Sequence, residues 1–329
     1  SMFWRRLRGH GLAHLAHCEA PPNRRAHCEA PPNRRAHCEA PLNRRDVVVV
    51  RAHRPTPAAV ARMQDWERSC LSRGIGFVVS VDATMDREGH VSRHLRQAVG
   101  EIHEYTQDQM LEISPGLVEC IDKMGIGFAV PGDKGDKSLA WGFHGEALAL
   151  WYRSLPEDGR PDFVWVLEDD VGVTGELADI IGDYDGDEAD LLTVSARASD
   201  PAVRYPVMGV VLDEWWWRER NDPGVKSWVW YHVCSTEFVE RLQGRQRKAS
   251  PEHVQRFSRR YLHTLDTWLA QGATAWSEML MVMLCEAAGL TLRFFDPAHV
   301  GDPFSWAGRV TEEDFPTLPT GRFYHALKW

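Results

Sequence analysis

The sequence predicts an α/β protein from residue 46 onward, with a mostly parallel central sheet flanked by helices. Three observations predict it. Apolar runs of strand length recur at 46–50 (DVVVV), 76–81 (GFVVSV) and 163–167 (FVWVL). Continuous runs of this kind mark strands buried on both faces. Stretches of helical spacing lie between them, the alternation that builds parallel sheets. Two of the runs stop on acids, Asp82 and Glu168-Asp169-Asp170. In a parallel sheet that places both sets of carboxylates on the carboxyl edge, where ligands bind.

The elements follow in order. Residues 16–45 are a ten-residue unit three times over, AHCEAPPNRR twice and then AHCEAPLNRR. The period is too short for a solenoid and the unit has no apolar face. Its His-Cys pairs invite a metal reading, but zinc sites normally gather ligands in a turn or on a folded element. Residues 1–45 therefore read as a disordered basic segment. Order begins with the strand 46–50. A helix spans Pro57 to Leu71 and the second strand Gly76 to Val81. His90 to Met110 is polar and amphipathic and reads as helical, and Gly125–Val130 is a third apolar run. The loop PGDKGDKS (131–138) leads into a helix over Leu139–Ser154, which Pro156–Pro161 ends. The strand 163–167 and a further strand over Asp190–Val194 follow. Downstream, Pro251–Gln271 reads as a helix. A second covers Trp276–Ala288 with Ser277 as its cap. Thr291–Asp296 reads as a last strand before a Pro/Gly-rich tail.

Composition narrows the function. The chain has 329 residues and a net charge of −9, so nucleic acid is not the expected partner. Residues 1–45 hold nine Arg against three Glu, a net of +6, which leaves −15 on the rest. The seven cysteines form no CxxC pair and suggest neither a disulfide framework nor a zinc ribbon. No apolar run approaches the roughly 18 residues of a membrane span, and the N-terminus lacks a signal-peptide core. The expected location is the Golgi or secretory lumen if an anchor precedes this chain, and the cytoplasm otherwise.

The acidic triplet carries the chemistry. Hard divalent cations take oxygen ligands. Glu168 and Asp170 are two apart, so both side chains share one side if the chain stays extended, and Asp169 faces away. Two carboxylates so placed make half of a Mn²⁺ or Mg²⁺ site that leaves positions open for substrate phosphates. The alternative is a solvated acidic turn in which Gly172 supplies the bend.

An apolar strand ending in a D-x-D-like triplet, behind a βαβ half, resembles the GT-A-fold glycosyltransferases. The resemblance covers roughly residues 46–305 and implies a GT-A-like, Rossmann-like single domain over 46–329. Residues 46–195 would bind a nucleotide-sugar and 196–329 an acceptor. It further implies that Asp170 is a direct metal ligand and that Glu168 joins it or contacts sugar or ribose. In DPAHVG, His299 would complete the metal shell. In WSEML, Glu278 would open a helix and act as catalytic base, favoured there by the helix dipole. Arg51, Asp82, Lys137, Glu168 and Asp169 would contact the nucleotide-sugar, with UDP-sugar the expected donor. The expected acceptor is a glycan, glycoprotein or glycolipid. Sugar rings stack on Trp faces, so Trp215–Trp217, Trp228, Trp230 and Trp306 are candidates for acceptor binding with Asp213 and Glu214 beside the first run, although core packing is the expectation for most of the six. The triplet departs from the motif in being Glu-Asp-Asp. A nucleotidyltransferase on a similar frame is a second reading, although RAHRPTP after the first strand lacks the expected Gly-rich signature. A degenerate carbohydrate- or partner-binding domain is a third.

Overall fold

The computed structural model describes residues 44–86, 88–124, 138–194, 233–245, 250–304 and 310–327. The repeat, the 125–130 run, Lys137, Asp213, Glu214 and the tryptophans at 215–217, 228, 230 and 306 lie outside them.

Seven strands form the main sheet: β1 (Asp46–Ala52), β2 (Gly76–Asp82), β3 (Ile102–Tyr105), β4 (Phe163–Glu168), β6 (Leu191–Thr193), β7 (Val254–Ser258) and β8 (Leu292–Phe294). Their order is β3-β2-β1-β4-β7-β6-β8. All run parallel except β7, which pairs antiparallel with β4 and β6. A smaller sheet joins β5 (Gly172–Thr174), β10 (Arg322–His325) and β9 (Val300–Phe304) in that order.

The apolar runs alternate between two cores, as the period of a strand requires. Val48, Val50 and Ala52 of β1, with Trp165 and Leu167 of β4, face α1 (Pro57–Ser72), α2 (His90–Ala98) and α6 (Leu177–Gly182). Val49, Val164 and Val166 face the other layer. That layer is α5 (His144–Ser154), α7 (Thr236–Leu242), α8 (Arg259–Ala270) and α9 (Ser277–Ala287). Each buried Val or Leu contributes about 1.5–3 kcal/mol, so both layers hold the sheet. Thr56 caps α1 by accepting from the Ala59 N–H, with Pro57 in the first turn. This is the favoured start of a helix.

Three expected elements change. His90–Met110 is not one helix: α2 ends at Ala98, β3 lies on the sheet edge, and α3 (Gln107–Ile113) begins at a capping box of Thr106 and Gln109. IHEY is too short and too polar to signal a strand by period alone; pairing with β2 makes it one. Residues 251–271 are likewise not one helix. Residues 254–258 are β7, every one buried, and Ser258 caps α8 by accepting from the Tyr261 N–H. Arg256 and Gln255 mask this strand in the sequence. Arg256 is tolerated in the core because Asp187 meets it at 2.7 Å, as a buried charge requires. Finally, Ser277 does not cap its own helix. It lies in the first turn of α9, and its hydroxyl accepts from the His144 N–H at the start of α5.

Candidate active site

The site forms where strands from both sheets end. β1 and β4 run in register with Arg51 opposite Glu168. The Arg51 guanidinium donates to Glu168 Oε1 at 3.1 Å and to the Glu252 carbonyl at 2.9 Å. β7 reaches the same point from the opposite direction, and the Glu168 N–H donates to the His253 carbonyl. The strand stops at Glu168. Asp169 and Asp170 turn, closed by a bond from the Val171 N–H to the Glu168 carbonyl. Glu168 and Asp170 therefore do not converge by strand alternation. They converge because the turn brings both to one imidazole.

That imidazole is His325, not His299. His325 Nε2 lies 3.2 Å from Asp170 Oδ1 and 3.4 Å from Glu168 Oε2. His253 Nδ1 lies 2.5 Å from Glu168 Oε2. The two rings stack with centroids 3.5 Å apart and planes at 10°. Glu168, His253 and His325 each offer a ligand atom, all within 4.8 Å of one another. His299 binds elsewhere, with Nδ1 2.8 Å from the Tyr184 hydroxyl and Nε2 3.1 Å from Asp183. The smaller sheet decides the difference. β10 pairs with β5, directly after the acidic turn, and the Leu327 N–H donates to the Asp170 carbonyl at 2.8 Å.

The electrostatics follow from this packing. Burial works against an ionised Glu168, but His253 and Arg51 outweigh it and hold the carboxyl well below the usual range. Burial likewise disfavours a charged His325, yet bonds to Asp170 and Glu168 raise the ring to about 9. Burial wins at His253 and lowers it.

A cleft of about 380 Å³ opens over this cluster. Of the residues singled out from sequence, Arg51, Asp82, Glu168, Asp169, Asp170 and Glu278 line it. Asp82 is already engaged: Oδ1 accepts from the Thr84 N–H at 3.0 Å, and Oδ2 from the Ser138 hydroxyl. Asp169 offers its carbonyl to Arg62. Glu278 sits in the first turn of α9. Sequence reasoning missed Glu252, His253, His144 and His325, which also line the cleft. Burial raises the Glu252 pKa well above the usual range, and the charges of Glu278 and Glu168 add to the rise against Arg51. The available signals were weak: Val254 and Phe257 bracketing two polar residues, and the strand-prone RFYH behind Gly321.

No family model matches the sequence, and no curated protein matches it. Solved structures do resemble it. Mouse xyloside xylosyltransferase 1, in its apo form, has a TM-score of 0.41 at 10% identity, over 85% of this chain and 97% of that one. The mannosyltransferase PcManGT from Pyrobaculum calidifontis, in complex with GDP-Man and Mn²⁺, scores 0.38 at 11% identity, over 78% of this chain and 56% of that one. The 4-diphosphocytidyl-2C-methyl-D-erythritol synthase from Anaerococcus prevotii scores 0.36 at 8% identity, over 77% of this chain and 90% of that one. Among the described residues no helix is long and apolar enough to cross a membrane. The mostly parallel sheet flanked by helices is the α/β arrangement that the sequence predicts, with the acidic turn at its carboxyl edge.

Proposed function

We propose that the chain is a metal-dependent glycosyltransferase, moving a sugar from a nucleotide-diphosphate donor, with UDP-sugar as first choice, to a hydroxyl acceptor. The observation that carries the reading is the convergence of Glu168, Asp170, His253 and His325 at the mouth of a cleft on the carboxyl edge. Carboxylate oxygens mixed with imidazole nitrogens suit a first-row divalent ion such as Mn²⁺ better than Ca²⁺. Glu168, His253 and His325 would hold it, with Asp170 beside them. When bound, such an ion supplies positive charge to a diphosphate leaving group.

The remaining roles belong to the chain itself. Arg51 fixes the orientation of Glu168 and ties it to the backbone of Glu252. Asp82, held by Thr84 and Ser138, borders the part of the cleft formed by β1 and β2 and would meet the nucleoside. Glu278 would take the proton of the acceptor hydroxyl, which requires an approach to about 3 Å.

The test is a thermal-shift panel of UDP-, GDP- and CMP-sugars with and without Mn²⁺. A ligand at 100 times its Kd stabilises by about 2.7 kcal/mol, so a cognate donor raises Tm only with the metal present. If no donor stabilises the protein under any metal, the reading fails.

A further inference from the structure

Beyond the acidic turn, the cleft has a second wall made by three chain segments. Trp141 and His144 come from the start of α5, Glu252 from the entry to β7, and Trp276 and Glu278 from the start of α9. The segments are tied by backbone bonds. The Ser277 N–H donates to the Gly142 carbonyl, and the Ser250 N–H to the Glu278 carbonyl, both at 2.9 Å. Trp141 meets Trp276 edge to face at 5.3 Å. Gly142 has no room for a side chain, because a Cβ there would lie 2.3 Å from the Trp276 ring.

Two features of this wall point to a ligand. Glu252 is only 4% exposed, yet it lines the cleft. His144 Nδ1 lies 3.1 Å from its Oε1, while its Oε2 has no hydrogen-bond partner among the described residues. A buried carboxyl oxygen left without a partner is costly, and a ligand hydroxyl would supply one. Trp141 is a large apolar side chain that remains 37% exposed on the same wall. An apolar ring face beside a hydroxyl acceptor is the surface that a pyranose offers its complement, with C–H groups on one side and O–H groups at the rim.

We propose that Glu252, Trp141 and His144 form a sugar subsite in which Glu252 Oε2 accepts a bond from a ring hydroxyl and Trp141 covers the ring face. The subsite takes neutral pyranoses and rejects uronic acids, because a sugar carboxylate would lose its water on this wall and face the acidic Glu278. The assignment rests on the glycosyltransferase reading only in taking the ligand to be a sugar.

The experiment titrates the wild-type protein, E252L and W141A with methyl glycosides of glucose, galactose, mannose and xylose, and with methyl glucuronide, followed by saturation-transfer NMR. UDP and GDP with Mn²⁺ are titrated in parallel. At least one neutral glycoside binds the wild type saturably and the glucuronide does not. E252L, which removes the acceptor, weakens binding of the neutral glycoside by about 2- to 10-fold, the range for a neutral hydrogen bond, and W141A weakens it by at least about tenfold. The proposal is overturned if no neutral glycoside binds the wild type, if the glucuronide binds equally, or if E252L keeps wild-type affinity. If E252L does not fold, full affinity in W141A, altered at a partly exposed site, overturns it. Loss of sugar binding with nucleotide binding intact refutes this subsite and spares the proposed function; the reverse result spares the subsite.

Discussion

Glu146 offers a quantitative test of the packing behind the cleft. It lies in the first turn of α5 and is wholly buried. Its Oε1 accepts from the Ser114 hydroxyl at 3.1 Å and from the Thr274 hydroxyl, while Oε2 has no partner among the described residues. Burial dominates these bonds and raises its pKa from 4.5 to about 7. The folded protein therefore holds this proton more tightly than the unfolded chain does. Its stabilising effect is complete below about pH 4.5 and is lost as pH rises through about 7. A shift from 4.5 to about 7 corresponds to about 3 kcal/mol. E146Q keeps an acceptor for Ser114 and Thr274 but cannot ionise. Between pH 5 and 8 the wild type should lose about 2.5 kcal/mol of this relative to E146Q, the rest being lost already below pH 5. With about 2.1 cal/mol/K of unfolding entropy per residue, that is about 4 °C in Tm for a chain of this size. Paired thermal scans across that range measure it, and the other titrating groups cancel in the difference. A Tm gap that stays constant with pH would refute the argument.

Two further outcomes follow from the site. H325A should weaken Mn²⁺ binding at least about tenfold by isothermal titration, and H299A should leave it unchanged, because Tyr184 and Asp183 hold His299 elsewhere; equal losses would break the assignment of His325. In G301A the new Cβ would lie 2.1 Å from the Tyr324 ring, which is 1% exposed. Overpacking of this kind costs about 1–3 kcal/mol, and because Tyr324 adjoins His325, G301A should lower Tm and Mn²⁺ affinity together; a variant with both intact would mean that β9 and β10 do not position the site.

Gly172 shows how sequence logic can reach the right residue for the wrong reason. In the sequence it reads as the bend that follows the acidic triplet. In the fold it opens β5, and a Cβ there would strike Phe315 at 2.6 Å and Leu327 at 2.8 Å. Its smallness serves the approach of the C-terminal segment, which carries His325. Arg51 likewise stands at the expected place on the cleft, where one guanidinium nitrogen bonds Glu168 and the Glu252 carbonyl.

By itself the sequence determined β1, β2 and β4, since a strand buried on both faces needs a continuous apolar run, and DVVVV, GFVVSV and FVWVL have no other stable use. It also placed Asp82 and the acidic triplet on one edge, because parallel strands share a direction, and it put Glu278 at a helix start. Tertiary structure alone decided which histidines join the carboxylates. His253 reaches Glu168 only because β7 is inserted antiparallel beside β4, a choice hidden by the polar residues that the core neutralises with Asp187. His325 reaches Asp170 across 155 positions of chain because β10 closes a second sheet on β5. Local periodicity records which face of an element is buried; it does not record which distant strand will pair with it, and here that pairing builds the site.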